Sequence, residues 1–352
     1  MDTMATKRQK QTTPKTSPKT ALVTGATGFV GRHLCRHLHE RGFAVRALVR
    51  ATSDLTPIRP YIAETFVGDL SRPESVVGCC DGVHAVYHSA CAIASTYDSG
   101  RAVQDVFRTV NRDGTTAIAR EVMKQKGVRM VHLSSTAAIG QPLTRVVNED
   151  SPTNPQTPYQ RSKRDAELEL LEMHERDGLD VVMIRTCLVT GPGKIDSELL
   201  TMFRLIKRGV FPYLGSDLSI QKPMVHVDDL CTGLMLAHDN APGGRIYLIT
   251  SGARHEFGDI LRSSGDLLGV KRTHLHVPIP LARAASTAFK LVNRILPDWS
   301  APLTDDRINL FITDRPIDIS RAREEIGYDP QHTNTKEMLE STVAYYVGRG
   351  MV

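Results

Sequence analysis

Apolar residues along this chain follow two rhythms. Short runs at Thr20–Thr24, Ala44–Val49, Glu64–Val67, Val83–His88, Val128–Leu133 and Val181–Ile184 are bounded by glycine or polar residues and read as strands. Between them the apolar spacing is helical. Val30, Leu34, Cys35 and Leu38 share one face of a helix that stops at Gly42. Val110–Lys126 is helical in pattern. A further helix opens at Tyr159 and runs to about Asp177, with Tyr159, Lys163, Ala166 and Leu170 on one face and Gly178 ending it. This alternation predicts an α/β fold of the Rossmann type, a doubly wound parallel sheet with helices on both faces. From about residue 195 the alternation fades. The expected organisation is therefore a tail over 1–18, a sheet domain over 19–194 and a smaller C-terminal lobe over 195–352. Two strand-like segments, Met224–Asp229 and Arg245–Thr250, are expected to return to the sheet. There is no internal repeat.

Composition changes this picture little. A chain of 352 residues buries a large core and exceeds the usual size of one compact domain. The formal charge of +5 sits mostly in the first twenty residues, where Lys7, Arg8, Lys10, Lys15 and Lys19 face only Asp2, leaving +1 for the rest. The basic balance thus belongs to a Thr-, Lys- and Pro-rich tail expected to be disordered, and implies no nucleic-acid surface. The six cysteines (Cys35, Cys79, Cys80, Cys91, Cys187, Cys231) contain no C-x-x-C pair and read as buried thiols of a reducing, cytoplasmic protein without a metal site. No apolar run reaches membrane-spanning length.

The chemistry begins at the first strand–helix junction. Gly25, Gly28 and Gly31 form a G-x-x-G-x-x-G turn between an apolar strand and a periodic helix. The first glycine allows the sharp turn, the second lets backbone approach a pyrophosphate, and the third lets the helix pack close to the sheet. The helix N-terminus offers free N–H groups and positive dipole to a phosphate. The second strand ends in Arg50 where an NAD-binding chain carries an acid for the ribose hydroxyls, and an arginine there suits the extra phosphate of NADP. NADP is the preferred cofactor and NAD the alternative, Arg50 then being an exposed arginine that touches nothing. The third and fourth strands run into Gly68-Asp69-Leu70 and Ser89-Ala90, small or polar residues suited to a cofactor crevice.

Tyr159 and Lys163 form Y-x-x-x-K, which puts an ammonium one helical turn beyond a phenol on the same face. A free tyrosine, with a pKa near 10, is a poor acid–base group at neutral pH, and a neighbouring cation is expected to lower it. Ser135, at the end of the Val128–Leu133 strand, is the hydroxyl that would orient the same substrate oxygen. These residues resemble the extended short-chain dehydrogenase/reductases. The resemblance spans nearly all of Lys19 to Val347. It rests on T-G-A-T-G-F-V-G (Thr24–Gly31), G-D-L (Gly68–Leu70), V-N-R-D-G-T (Val110–Thr115), L-S-S-T (Leu133–Thr136) and Y-Q-R-S-K (Tyr159–Lys163), with V-H-V-D-D (Val225–Asp229) and D-I-S-R-A-R-E-E-I-G-Y (Asp318–Tyr328) towards the C-terminus.

The resemblance implies Tyr159 as catalytic acid–base, Lys163 as ribose ligand and pKa-lowering cation, and Ser135 as holder of the reacting oxygen, the spacing to Gly140 favouring it over Thr136. It implies Gly25, Gly28, Phe29, Val30 and Gly31 along the pyrophosphate, Asp69 and Leu70 at the adenine, and Ser89 and Ala90 at the inner ribose. It implies oxidation or reduction of a secondary alcohol or ketone on a small-molecule substrate, with nucleotide-sugar epimerisation or dehydration as the alternative. It also implies a homodimer through Asn111–Lys126 and Tyr159–Asp177. Nucleotide-sugar members often place an arginine just before the V-x-V-x-D strand, where this chain has Gln221-Lys222-Pro223. Ala47–Asp54 and the amphipathic Pro280–Pro297 segment resemble the hydroxysteroid-dehydrogenase-like and dihydroflavonol-reductase-like branch. That segment is expected to pack on the second lobe, with capping of an apolar substrate or contact with a membrane surface as alternatives. Of His226, Asp228 and Asp229, an aspartate is expected to cap a helix rather than bind metal.

Overall fold

The computed structural model describes residues 18–93, 101–195, 198–271, 273–295, 303 and 305–352. All but the last residue of the basic tail lies outside them. The strands of the first part are β1 (Thr20–Thr24), β2 (Ala44–Val49), β3 (Glu64–Val67), β4 (Ala85–His88), β5 (Arg129–Ser135) and β6 (Val181–Thr186); those of the second are β7 (Leu188–Thr190), β8 (Phe211–Leu214), β9 (Met224–His226), β10 (Ile246–Ile249) and β11 (His274–Val277). The helices are α1 (Phe29–Glu40), α2 (Arg101–Val106), α3 (Gly114–Met123), α4 (Pro158–Asp177), α5 (Glu198–Lys207), α6 (Val227–Asn240), α7 (Phe257–Leu268), α8 (Ile279–Ile295), α9 (Asp305–Ile312), α10 (Ser320–Ile326) and α11 (Thr335–Gly348).

Seven strands form one sheet in the order β10-β6-β5-β4-β1-β2-β3, every pairing parallel. The chain winds one way from β1 to β3 and the other way from β4, so the strand order reverses between β1 and β4. That reversal opens a crevice at the carboxyl ends of these strands. One face is covered by α1 and α6, whose Leu34, Leu38, Leu230 and Leu234 pack on Val23, Val45 and Val182. The other is covered by α3 and α4 through Ile118, Val122, Leu170 and Met173 on Leu22, Met130 and Val181. Each such side chain contributes about 1.5–3 kcal/mol by leaving water. A third apolar cluster joins α5, α7 and α11 through Phe203, Phe257 and Tyr346. A fourth, smaller cluster of the second lobe takes the amphipathic α8, its buried Ala282 grouped with Leu214 of β8 and Ile308 of α9.

Several boundaries differ from the periodicity, each for a local reason. β5 runs on through Ser134 and Ser135 because these pair with Arg185 and Thr186 of β6. The helix expected from Val110 begins at Arg101 and passes through a π-helical turn, Phe107–Asp113. Of the two segments expected to return to the sheet, Arg245–Thr250 supplies β10 at its edge, whereas Met224–Asp229 is strand only to His226 and pairs with β7 outside it. Cys91 and Cys187 are only partly buried, unlike Cys35, Cys79, Cys80 and Cys231, and all six are free thiols. Among the described residues no helix is long and apolar enough to cross a membrane, and no cluster of His, Cys, Asp or Glu could hold a metal ion.

Candidate active site

Helix α4 starts where its sequence closes a capping box. The Thr157 hydroxyl accepts from Gln160 N (3.2 Å), the Gln160 amide oxygen accepts from Thr157 N (3.2 Å), and Pro158 fills the first helical position. This anchors Tyr159 in the first turn, 9% exposed, its ring edge-on to Phe107 at 5.6 Å. The Tyr159 hydroxyl makes hydrogen-bond contact with the hydroxyl of Ser135 and the thiol of Cys91. Lys163, one turn further, is buried and its Nζ donates to Leu133 O at 2.9 Å. The fold thus brings Ser135 and Tyr159 together and places Lys163 beneath them. The expected lowering of the Tyr159 pKa does not hold in this geometry. Burial, above all, and the Cys91 thiol push the phenol well up, and only the Ser135 hydrogen bond pulls it down. The Lys163 ammonium is directed to the β5 backbone instead.

Asn111 and Cys91 belong to this site and were not singled out from the sequence. Asn111, on the π-helical turn and 2% exposed, accepts from Ala92 N (2.7 Å) and donates to Ala92 O (3.2 Å) and to Ser162 Oγ (3.1 Å). Ser162 Oγ in turn donates to Tyr159 O at 2.8 Å. One amide therefore clamps the loop carrying Cys91 to the helix carrying Tyr159. The V-N-R-D-G-T run was visible, but only the extra residue of a π turn aims its asparagine inward.

The glycine turn forms a tight backbone cradle. A Cβ on Gly25 would lie 2.7 Å from Ala90 Cα, and one on Gly31 only 2.0 Å from Gly25 O. Gly28 is exposed, no side chain among the described residues caps α1, and its first turn holds no acid, so its N–H groups and dipole suit an anion. Phe29 and Val30 border the same opening, half-buried. Ser89 Oγ donates to Thr24 O (2.7 Å) and Ala90 N to Thr24 Oγ1 (3.2 Å), which pins the β4 loop to the turn. Asp69 accepts from Ser71 N and Oγ (2.9 and 2.8 Å), bonds that hold its carboxyl below the usual range. Leu70 turns inward, so it offers the crevice a wall rather than a side-chain tip. Arg50 is exposed, and its guanidinium makes no hydrogen bond or ion pair among the described residues. These residues fit a dinucleotide.

Beneath α4 a buried polar row crosses the sheet. The carboxylate of Glu167, fully buried, accepts from Ser134 Oγ (2.6 Å), Arg164 Nη1 (3.2 Å) and both Nε and Nη2 of Arg185 (3.0 and 2.8 Å). Thr115 gives its hydroxyl proton to Asn111 O, so it accepts from His88 Nε2 (2.9 Å), and His88 Nδ1 accepts from Thr24 Oγ1 (2.8 Å). His88 stacks on His132 at 5.3 Å, and among the described residues neither ring nitrogen of His132 has a partner. Burial, then the nearby Lys163, draws the His88 pKa down to about 3 and that of His132 well below its usual value. The unfolded chain binds protons near pH 6.5 that the folded one refuses. Stability should therefore fall as pH drops below about 6.5, by up to about 1.4 kcal/mol per unit for each histidine. His132→Phe is expected to flatten this acid limb without loss of stability at pH 7, as urea denaturation across pH will show; an unchanged limb would contradict it.

The helix after β9 is capped differently from expectation. His226 is the N-cap residue, its Nδ1 accepting from Asp228 N, while both aspartates lie in the first turn, where the dipole favours them. Asp228 accepts from Arg36 (2.6 Å) and His37 (2.9 Å); Asp229 accepts from Gln331 N and His332 N. Lys222 donates to Phe311 O (3.1 Å) and Thr313 O (3.3 Å) near the end of α9, and burial, then Arg315, draws its pKa down to about 7.

A doubly wound sheet with a glycine turn and a Tyr-x-x-x-Lys helix at one crevice defines an α/β protein of the Rossmann class. The chain belongs to the NAD dependent epimerase/dehydratase family, whose sequence model matches residues 21–250. Members are NAD-dependent oxidoreductases, epimerases and dehydratases. The chain is 31% identical over 341 residues to sterol demethylase protein B of Methylococcus capsulatus, covering 95% of this chain and all of that one. It is 28% identical over 342 residues to the 4-hydroxy-2-methyl-3-oxo-4-farnesyl-3,4-dihydroquinoline-1-oxide ketoreductase of Stigmatella aurantiaca, covering 94% and 97% of the two. The crystal structure of gox2253 superposes with a TM-score of 0.80 at 26% identity, over 95% of this chain and 99% of that one.

Proposed function

We propose that this protein is an NADP-preferring oxidoreductase that interconverts a secondary alcohol and a ketone on an apolar, sterol-like substrate. The observation that carries net redox chemistry over nucleotide-sugar epimerisation is Lys222. At the position where nucleotide-sugar members often hold an arginine fork, this lysine is turned to two backbone carbonyls and its charge is weakened by burial. The relatives named for a sterol demethylase protein and for a ketoreductase of a farnesylated ring support the apolar substrate.

In this reading Ser135 Oγ and the Tyr159 hydroxyl converge on one substrate oxygen. In reduction Tyr159 gives that oxygen its proton, and in oxidation it takes the proton back. The nicotinamide, when bound, supplies or accepts the hydride. Lys163 holds the nicotinamide ribose and Asn111 fixes the loop opposite. Two copies pair through α3 and α4, which leave Met123 and Leu168 exposed, and light scattering should give twice the chain mass of 38.9 kDa.

The test follows reduced-nicotinamide absorbance with both cofactors in both redox states, against ketones, secondary alcohols, hydroxysteroids and nucleotide sugars. Stoichiometric change with an apolar alcohol or ketone supports the reading. Conversion of a sugar nucleotide with no net absorbance change overturns it. Arg50→Ala should weaken NADPH binding by about tenfold and leave NADH binding within about twofold, on the strength of a charge-assisted phosphate contact. Equal effects on the two cofactors would remove Arg50 from the site.

A further inference from the structure

Lys194 follows the Gly191-Pro192-Gly193 turn, where the chain leaves β7 for α5. That turn is tied to α1, because His33 Nε2 bonds Pro192 O at 2.9 Å. The tie brings Lys194 over the first residue of α1, its Nζ standing 5.8 Å from the centroid of the Phe29 ring. Among the described residues Nζ donates one hydrogen bond, to Val189 O at 3.2 Å, and two of its N–H groups have no acceptor there. Arg32, one turn into α1, has its Nε on Gly28 O at 3.3 Å and adds a second cation to the same end. Two cations thus flank a 12-residue helix whose N-terminus has no acid in its first turn and, among the described residues, no capping side chain.

We propose that Lys194 is a ligand of the cofactor diphosphate, a cation brought by the segment entering the second lobe over the glycine turn. This rests on the dinucleotide reading of the crevice. The helix end donates from below, through backbone N–H groups, and Lys194 from above, so the two oxygens of a diphosphate edge are met from both sides. The groups acting on Lys194 are Glu198 of α5 and Cys187 between β6 and β7, while Arg32 and His33 belong to the α1 turn to which the Pro192 segment is tied. Burial draws the Lys194 pKa down to about 8, against Glu198 and Cys187, which raise it. An anion in contact raises it again, so binding takes up a proton at mildly alkaline pH.

The experiment titrates the full-length protein with NADPH and with ADP-ribose, which keeps the diphosphate and lacks the nicotinamide, by calorimetry at pH 8 in buffers of different ionisation enthalpy. The wild-type protein should take up about half a proton with either ligand. Lys194→Met should weaken both about 10- to 100-fold and abolish the uptake. Lys194→Arg, charged throughout, should bind both within about threefold and take up none. Unchanged affinity in Lys194→Met, uptake persisting in Lys194→Arg, or a loss confined to NADPH would each overturn the assignment. A wild-type protein that binds neither NADPH nor NADH would instead remove the dinucleotide reading itself, and this proposal with it. Thermal unfolding separates these results from misfolding, and the arginine variant decides the question if the methionine variant fails to fold.

Discussion

Replacing Tyr159 with phenylalanine is expected to lower turnover by about 10²–10⁴-fold while cofactor affinity stays within about threefold. The substitution removes one oxygen. The ring keeps its edge-on contact with Phe107, the helix keeps its Thr157–Gln160 cap, and Lys163 keeps its bond to Leu133 O. What is lost is the one hydroxyl in contact with Ser135 at the end of β5. The variant should therefore fold as the parent does, with kcat carrying the effect and the cofactor Kd hardly moving. The pH dependence has a definite sign. Burial holds the phenol well above its ordinary pKa, so the proton-donating form is present throughout the neutral range. Ketone reduction should be flat there, and alcohol oxidation, which needs the deprotonated phenol, should rise with pH into the alkaline range. Undiminished turnover in Tyr159→Phe would sink the assignment of Tyr159.

Which parts of this site could be read from the sequence follows from what periodicity and local spacing can encode. The parallel sheet was legible because buried strands and amphipathic helices repeat at different periods, and β1, β2 and β3 begin and end where their apolar runs do. The glycine turn and the Tyr159–Lys163 pair were legible as motifs because their residues lie close in sequence, and Ser135 as a hydroxyl at a strand end. Asn111 was not. Its role depends on a π-helical turn, and an extra residue in a helical turn leaves no mark on an apolar pattern. Cys91 reads as an ordinary buried thiol until the β4 loop is folded against α4. The capping of α6 was misread because His226 and the two aspartates all suit a helix start, and only backbone geometry shows which precedes it. Lys163 was placed correctly on the Tyr159 face of α4, but spacing along a helix does not reveal that its ammonium reaches the β5 backbone instead of the phenol.

The largest stability effect is expected at Glu167, nowhere near the surface and not in contact with any proposed ligand. Its carboxylate is fully buried and holds the bidentate guanidinium of Arg185, itself 1% exposed, together with Ser134 and Arg164. Glu167→Gln removes the charge and leaves the buried Arg185 guanidinium uncompensated, which should cost about 3–5 kcal/mol, or about 4–7 °C in midpoint for a chain of 352 residues. The mechanism makes a second, sharper demand. If the cost is that of a stranded cation and not of lost packing, removing both partners in Glu167→Leu with Arg185→Met should recover most of the stability. Ser134 loses its acceptor in the double variant, and Ser134 immediately precedes Ser135 on the β5 end that pairs with β6. The double variant should then be nearly as stable as the parent and still have a lower kcat, because the hydroxyl facing Tyr159 is less firmly placed. Urea unfolding of the two single variants and the double variant, read beside their turnover, decides this. Costs that simply add, with no recovery in the double variant, would mean that Glu167 and Arg185 stabilise the fold by packing and that the charge pairing beneath α4 is incidental.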